Sequence, residues 1–222
     1  MATRRWSGLG GEMAQVHGLA DDDARTIQAV LSGEVDRYAE LVDKYQGRAL
    51  KVAFSLLGNY EDAKDVSQEA FVSAYRALRR FRGGAKFSTW LFRIVVNECK
   101  DVYRHRAHRP LVVATVGTAD PDGDESAGLF VEVDDPAADP SEQLANRELS
   151  QAIGRAIATL PMNQRSAFLL HHVQGLSLED TAAVMGCRVG TVKSHVFRST
   201  ERLRTSLTPW LAENKMTVFS KG

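Results

Sequence analysis

The chain has 222 residues, of which 44% are apolar and 25% are charged, so it can form a packed core and is not disordered throughout. Its 28 basic and 28 acidic residues cancel, and two cysteines, Cys99 and Cys187, are too few for a disulfide scaffold or a four-cysteine zinc site. The sequence contains no run of about 18 apolar residues, so it predicts no membrane insertion, and its low cysteine content fits a reducing cytoplasm.

The N-terminal half is predicted to be an extension followed by a helical domain. Residues 1–20 are Gly-rich and polar, lack the apolar segment of a secretory signal, and are predicted to be a disordered extension. Residues 21–109 carry apolar side chains at three- and four-residue spacing, including a stripe from Val35 to Leu57. Three helices are predicted there, over residues 35–57, 59–80 and 88–106. Asn59 and Ser88 are the predicted N-caps of the second and third.

Residues 110–144 differ in charge from the rest of the chain. They contain nine acidic residues and no Lys or Arg, with prolines and little periodicity, and are predicted to form a flexible acidic linker. Both flanking segments are basic: residues 79–109 carry nine Lys or Arg against two acids, and residues 145–222 carry ten against five. The neutral net charge therefore hides two basic blocks, which is the pattern expected of a protein that binds a polyanion.

Residues 145–207 are predicted to be a second helical domain, and residues 208–222 a C-terminal tail. Pro161 suits the first position of a helix, and Gly175 suits a helix end. Helices are predicted near residues 141–159, 161–173, 177–186 and 190–206. No alternation typical of β-strands occurs, so the predicted fold is all-α, with two small helical domains joined by the linker.

The segment from Ser177 to Arg204 has the spacing of a helix-turn-helix. Ser177 and Asp180 have capping-box spacing, and Ala182 and Gly186 allow two helices to cross closely. The second helix of such a unit enters the major groove of DNA. Its predicted outward residues are donors suited to phosphates and guanine edges: Arg188, Thr191, Lys193, Ser194, His195, Arg198 and Arg202. The alternative is a plain helical hairpin.

A second basic helix carries polar residues along one face. Arg93, Asn97, Lys100 and Arg104 have helical spacing, and Phe87 and Trp90 precede them. Cations beside aromatic rings suit single-stranded nucleic acid, on whose bases the rings can stack. In the alternative interpretation the aromatic residues belong to the core, and at least one of Trp90 and Phe92 is expected there.

A third helix carries an acidic face instead. Asp65, Gln68, Glu69 and Val72 lie opposite its apolar stripe, with no basic partner at close spacing. Such a face repels DNA, and either binds a basic protein surface or is simply solvated.

These segments together resemble a known family. GNYEDAKDVSQEAFVSAYRALRRFRG and FSTWLFRIVVNECKDVYRHR look like region 2 of bacterial sigma factors, and LPMNQRSAFLLHHVQGLSLEDTAAVMGCRVGTVKSHVFRSTERLR looks like region 4. The order of the two, without a middle domain, is similar to that of the extracytoplasmic-function group. The resemblance covers residues 30–109 and 141–206 and implies an alternative sigma factor, which directs transcription initiation and has no catalytic site of its own.

The resemblance also implies a role for each segment. Asp65, Gln68, Glu69 and Phe71 would bind core RNA polymerase at the clamp helices of its β′ subunit. Phe87, Trp90, Arg93, Asn97, Lys100 and Arg104 would bind the melted −10 element, whose bases flip out into a pocket. The helix from Gly190 would read the −35 element.

Further partners follow only from the resemblance. Region 4 would contact the β flap of the polymerase, an anti-sigma factor would hold the protein inactive, and the linker would thread the nucleic-acid channel of the polymerase. No cofactor is implied.

Two other functions explain less of the sequence. A stand-alone helix-turn-helix regulator explains residues 177–204 but gives no role to the other two helices. An enzyme with a metal at His171, His172, Cys187 and Glu179 is disfavoured, because adjacent histidines point to different helix faces and no paired ligand motif accompanies them.

Overall fold

The structure is a computed structural model that describes the backbone of residues 15–108 and 140–219, and the side chains of residues 22–106 and 148–212. Every regular element in these ranges is helical, which confirms the all-α prediction. The predicted linker lies outside the described residues, except that the first helix after it already begins at Pro140.

The first bundle contains four α-helices. They are α1 (Gln15–Ser32), α2 (Tyr38–Leu57), α3 (Tyr60–Ala77) and α4 (Phe87–His108), with short 3₁₀ turns before α2 and after α3. Gly58 ends α2 with a left-handed backbone (φ 69°), which a residue with a side chain adopts less readily. Asn59 then caps α3 as predicted, since its side chain accepts a hydrogen bond from the backbone N–H of Asp62 at 3.0 Å.

The sequence analysis did not predict the first helix. Helix α1 starts at Gln15, inside the segment predicted to be a disordered extension. Asp23 fixes it to α2, because this buried carboxylate accepts a hydrogen bond from the Tyr45 hydroxyl at 2.5 Å and pairs with Lys44. Burial and the Asp23 carboxylate raise the pKa of the Tyr45 phenol, so it remains a protonated donor.

Two details of the first bundle differ from the sequence prediction. Ser88 is not an N-cap, because α4 already begins at Phe87 and the Trp90 N–H donates to the Lys86 carbonyl at 3.1 Å. Val35 is 49% exposed in the 3₁₀ turn before α2, whereas Leu56, outside the predicted stripe, is fully buried.

The second bundle also contains four α-helices. They are α5 (Pro140–Ala158), α6 (Met162–Phe168), α7 (Leu178–Met185) and α8 (Val189–Phe219), and a π-helical turn (Leu169–Val173) follows α6. Pro161 precedes α6 as its N-cap instead of occupying the first helical position. Helix α8 continues through Pro209 into the segment predicted to be a tail.

The two bundles pack against each other. Helix α7 lies against α4, and α2 contacts both α5 and α6. The buried apolar residues form one continuous cluster that includes Leu56 and Phe92 of the first bundle and Leu169 and Leu170 of the second. In this structure, the two predicted domains thus share one core.

Candidate nucleic-acid and protein interfaces

Helices α7 and α8 form the helix-turn-helix. The Ser177 hydroxyl oxygen accepts a hydrogen bond from the Asp180 N–H at 2.9 Å, as predicted for the N-cap of α7. The hydroxyl also donates to the Asp180 carboxylate at 2.9 Å. Gly186 adopts φ 65°, and the Cys187 N–H donates to the Ala182 carbonyl at 3.1 Å, which closes the turn. The turn thus has the left-handed glycine that the sequence indicated.

The exposed face of α8 carries most of the predicted DNA-binding residues. Val192, Ser199 and Leu203 are buried, so the opposite side of the helix faces solvent. Six predicted residues are exposed there: Arg188, Thr191, Lys193, Ser194, Arg198 and Arg202. This face is basic and free of intramolecular packing, as a groove-binding helix requires.

His195 is the exception among the predicted outward residues of α8. Its position, three residues after Val192 and four before Ser199, places it at the edge of the buried stripe. The side chain is half-buried, and its Nδ1 atom is buried without a hydrogen-bond partner among the described residues. It is therefore less accessible to a base edge than Ser194 beside it.

Phe197 belongs to the exposed face of α8 but was missed in the sequence. Its side chain is 68% exposed, the most among the large apolar residues that the structure describes. It lies one turn after Ser194 and next to Arg198. The sequence indicates its exposure, because Phe197 does not share the helical spacing of the buried residues Val192, Ser199 and Leu203.

Helix α4 presents the second predicted nucleic-acid face. Arg93, Asn97 and Arg104 are exposed and Lys100 is half-buried, all along one side of the helix. Arg104 pairs with Asp101 on the same helix, a surface ion pair of the kind that contributes little to stability. Three of the four polar side chains therefore stand in solvent beside one another.

The two aromatic residues at the start of α4 differ in exposure. Phe87 is only 2% exposed, and its ring packs against Tyr45, Phe81 and Trp90 at centroid distances of 5.6, 6.1 and 5.8 Å. The assignment of Phe87 to nucleic-acid binding is therefore wrong in this structure, since a base cannot reach the ring. Trp90 is half-buried, packs against the half-buried Phe81 with ring centroids 5.2 Å apart and a tilt of 46°, and keeps part of its surface in solvent. Phe92 is fully buried, which confirms the expectation that at least one of Trp90 and Phe92 belongs to the core.

Helix α3 exposes the acidic face. Asp65, Gln68 and Glu69 are exposed, and Val72 and Tyr75 continue the same side with 40% and 41% of their surfaces in solvent. An acidic rim beside an apolar patch is the composition of a protein-binding surface. We name these five residues the α3 face.

Two predictions for α3 need correction. Phe71 is buried at 7% exposure, so its side chain does not reach a partner; its carbonyl accepts a hydrogen bond from the Tyr38 hydroxyl at 2.8 Å. Burial raises the pKa of Tyr38 to about 12, which keeps this donor protonated. Glu69 does have an internal basic partner, because Arg76 lies 3.7 Å away, although both side chains are largely solvated.

A metal centre was not predicted, and the described residues contain no group of three or more His, Cys, Asp or Glu that could hold an ion. The His171 and His172 rings lie 4.8 Å apart, and His171 Nδ1 is within 2.8 Å of the Leu176 carbonyl. No helix in the described ranges is both long and apolar enough to cross a membrane.

Family models match both bundles. The model for Sigma-70 region 2 matches residues 41–115, and the model for Sigma-70 region 4 matches residues 150–203. The matches fall on α2 to α4 and on α5 to α8, in the order that the sequence indicated.

Curated relatives cover nearly the whole chain. It is 36% identical over 198 residues to the RNA polymerase sigma-H factor of Pseudomonas aeruginosa, which is 87% of this chain and 97% of that protein. It is 38% identical over 190 residues to the ECF RNA polymerase sigma-E factor of Escherichia coli K12, at 84% and 95% coverage.

Solved structures share the fold. CnrH, in complex with the cytosolic domain of CnrY, matches with a TM-score of 0.57 and 25% identity, over 82% of this chain and 94% of that chain. The sigma factor RpoE, in complex with the anti-sigma factor NepR from Bartonella quintana, matches with a TM-score of 0.58 and 24% identity, over 77% and 96%.

Proposed function

This chain belongs to the extracytoplasmic-function group of the sigma-70 family and directs transcription initiation as an alternative sigma factor, and we propose that it does so through three separate surfaces. The α3 face binds core RNA polymerase, the polar side of α4 binds the melted −10 element, and the exposed side of α8 reads the −35 duplex. The carrying observation is that two basic helices in two different bundles each present an exposed polar face. A stand-alone regulator has no support, because the chain matches both sigma regions in order.

The test of the overall function is promoter-specific run-off transcription with purified core polymerase. Core polymerase alone should give no specific transcript, and adding this protein should produce one. Binding of the isolated protein to duplex DNA with no effect on polymerase would instead indicate a stand-alone regulator.

The chemistry of the α3 face suits a protein partner such as the clamp helices of the β′ subunit. Val72 and Tyr75 supply the apolar centre that a protein interface needs, and Asp65 and Glu69 supply charge that attracts a basic partner. The β flap is the proposed contact of the second bundle. The polymerase performs the chemistry, and this chain supplies binding and DNA opening.

On α8, phosphate contacts and base contacts come from different residues. Each phosphate contact releases about one counterion. Replacing any one of Lys193, Arg198 and Arg202 with alanine should therefore reduce by about one the slope of log affinity for the −35 element against log salt concentration. The measurement is the holoenzyme affinity for promoter DNA over a range of salt. Lys64→Ala, an exposed lysine on α3 outside the proposed contacts, should leave the slope unchanged.

Ser194 and Phe197 are the proposed base readers in the same assay. Ser194 already donates to the Gly190 carbonyl at 3.0 Å, so its oxygen remains as an acceptor, and the Phe197 ring can contact a thymine methyl group. Replacing either should change which base is preferred at the contacted position, where a mismatched base pair typically costs about 1–3 kcal/mol. An unchanged preference in a randomised-promoter assay would remove the assignment.

Trp90 is the proposed stacking residue for melted −10 DNA. We expect Trp90→Ala to impair promoter opening more than closed-complex binding, because stacking on an aromatic ring is worth about 1–3 kcal/mol per base. A premelted bubble should partly restore transcription. If Trp90→Ala instead unfolds the first bundle by circular dichroism, its contact with Phe81 is structural and the stacking role fails.

The acidic linker is proposed to occupy the nucleic-acid channel of the polymerase, where a negative strand can stand in for nucleic acid. Its carboxylates should be changed to amides at Asp120, Asp122, Asp124, Glu125, Glu132, Asp134, Asp135 and Asp139. Channel occupancy predicts near-normal promoter binding by the holoenzyme with altered lengths of abortive products. A gain in DNA affinity by the free protein would instead indicate that the linker covers Arg188–Arg204. If neither quantity changes, the linker is only a tether.

Regulation by an anti-sigma factor and a cytoplasmic location complete the proposal. The relative RpoE binds the anti-sigma factor NepR, and CnrH binds the cytosolic domain of CnrY. Affinity purification from the native host, followed by mass spectrometry, identifies the corresponding partner of this chain.

A further inference from the structure

A series of buried contacts connects helix α1 to Trp90 on α4. The Asp23 carboxylate of α1 accepts a hydrogen bond from the Tyr45 hydroxyl of α2 at 2.5 Å. The Tyr45 ring packs against the Phe87 ring of α4 with centroids 5.6 Å apart, and Phe87 packs in turn against Trp90 at 5.8 Å. Asp23, Tyr45 and Phe87 are all buried, and we call these three residues the Trp90 support.

The orientation of the Trp90 ring depends on the rings beneath it. Trp90 is half-buried, and it lies against Phe81 at a centroid distance of 5.2 Å and against Phe87 at 5.8 Å. Phe81 is itself half-buried, whereas Phe87 is only 2% exposed, so Phe87 is the neighbour that the core holds in place. A ring that is already ordered loses less conformational entropy when a base stacks on it. The stacking surface of Trp90 is therefore only as well defined as the position of Phe87.

Tyr45 holds Phe87 in place through a hydroxyl group that has its partners inside the protein. The group donates to Asp23, and the Ser88 side chain in the first turn of α4 hydrogen-bonds the same hydroxyl. Because Tyr45 is buried, loss of the Asp23 acceptor would leave a strong donor without its partner, which is destabilising. The ring would then have to shift to bring its hydroxyl group towards water, and Phe87 would lose its packing surface.

The surroundings of Asp23 favour an orienting role for this carboxylate. Lys44 pairs with it, and the Lys44 Nζ atom lies 5.4 Å from the centre of the Tyr45 ring. Removing two charges from water offsets much of their attraction, so a buried ion pair adds little net stability compared with apolar packing. A fully hydrogen-bonded buried network can instead define one arrangement of the core. Asp23 therefore fixes where the Tyr45 ring lies.

We propose that Asp23 is a positioning residue for promoter opening: through Tyr45 and Phe87 it holds the Trp90 ring in the orientation that receives a melted −10 base. The inference rests on the proposed function, because it takes the stacking role of Trp90 from it. It also gives a task to α1, which begins at Gln15, before residues 41–115 that the region 2 model matches.

The rate of open-complex formation by the holoenzyme tests this role. Asp23→Ala should slow opening by about three- to tenfold with little change in closed-complex binding, because an ordered side chain becomes mobile. Asp23→Asn keeps an acceptor for the Tyr45 hydroxyl and should restore most of the rate. Thr26→Val is the matched control on α1: it removes the bond to Glu40 at 2.9 Å, leaves the Trp90 support intact, and should not change opening.

A double variant separates positioning from a general loss of stability. If Asp23 acts through Trp90, Asp23→Ala should have no further effect on opening in a Trp90→Ala background. Defects that multiply would overturn the proposal, because Asp23 would then act through another part of the protein. Normal opening by Trp90→Ala alone would instead refute the proposed −10 role of Trp90, so the two failures are distinct.

The fluorescence of Trp90 provides a second measurement that needs no DNA. The other two tryptophans, Trp6 and Trp210, are replaced by phenylalanine. Acrylamide quenching and the subnanosecond loss of anisotropy should both increase with Asp23→Ala, because a side chain released from packing moves on the picosecond to nanosecond timescale. Both should keep the parent value with Thr26→Val.

A second variant covers the case in which Asp23→Ala unfolds the first bundle by circular dichroism. Tyr45→Phe then replaces it in both measurements, because this change keeps the ring and removes only the hydroxyl group that Asp23 holds. It should also slow opening and increase quenching. Opening and quenching that stay at the parent values in a folded Asp23→Ala or Tyr45→Phe protein would overturn the proposal.

Discussion

Reversing Asp65 and Glu69 to lysine is expected to abolish binding to core RNA polymerase while helix content stays unchanged. Both side chains are exposed, so their replacement removes no core packing. The reversal places two positive charges where a basic partner surface docks, and like charges at an interface cost several kcal/mol, roughly a thousandfold or more in affinity. Holoenzyme formation, followed by gel filtration or fluorescence anisotropy, measures the effect.

A matched control separates this result from a general effect of charge. The double variant Asp22→Lys and Asp43→Lys makes the same change in net charge on exposed positions of α1 and α2, away from the α3 face. Its polymerase affinity should stay within a few-fold of wild type. Unchanged binding by the Asp65 and Glu69 variant would show that α3 is only a solvated surface.

Phe87→Ala is expected to destabilise the first bundle by about 3–5 kcal/mol, a large part of the 5–15 kcal/mol that holds a typical domain. The ring is nearly inaccessible and packs against Tyr45, Phe81 and Trp90, so truncation leaves a cavity among aromatic side chains. Urea unfolding followed by circular dichroism measures the loss.

The matched substitution for Phe87 is leucine, which keeps most of the buried volume and should cost less than about 1.5 kcal/mol. A premelted bubble should not restore transcription by the alanine variant under conditions where the first bundle unfolds. A stable alanine variant that a bubble does rescue would return Phe87 to the −10 interface.

Local signals allowed helices α2 to α8 and the caps at Asn59 and Ser177 to be predicted from the sequence, whereas the exposure of single side chains depended on other elements. Asn59 and Ser177 cap helices through residues three positions away, so the sequence contains the whole interaction. Phe87 and Trp90 are three residues apart on one helix, and only the positions of Tyr45 and Phe81 decide which of them is buried.

The N-terminal helix and the packing of the two bundles could not be predicted from the sequence for the same physical reason. Helix α1 is fixed by the bond between Asp23 and Tyr45, 22 positions apart. Arg48 meets Gln174 across 126 positions. Charge and periodicity give no register for such pairs, because many exposed arginines have the same local sequence features.

Two arginine side chains from outside α2 donate hydrogen bonds to the carbonyl groups at its C-terminal end. This helix has no basic residue in its own last turn, so the partial negative charge of its dipole has no local counterpart. Arg106 of the same bundle donates to the Leu57 carbonyl at 3.4 Å, and Arg165 of the other bundle donates to the Leu56 carbonyl at 2.9 Å. The left-handed turn at Gly58 closes the same end of the helix, because its N–H donates to the Phe54 carbonyl. The C-terminal end of α2 therefore lies against one guanidinium from each bundle, which compensates a dipole that the helix leaves unpaired in its own sequence.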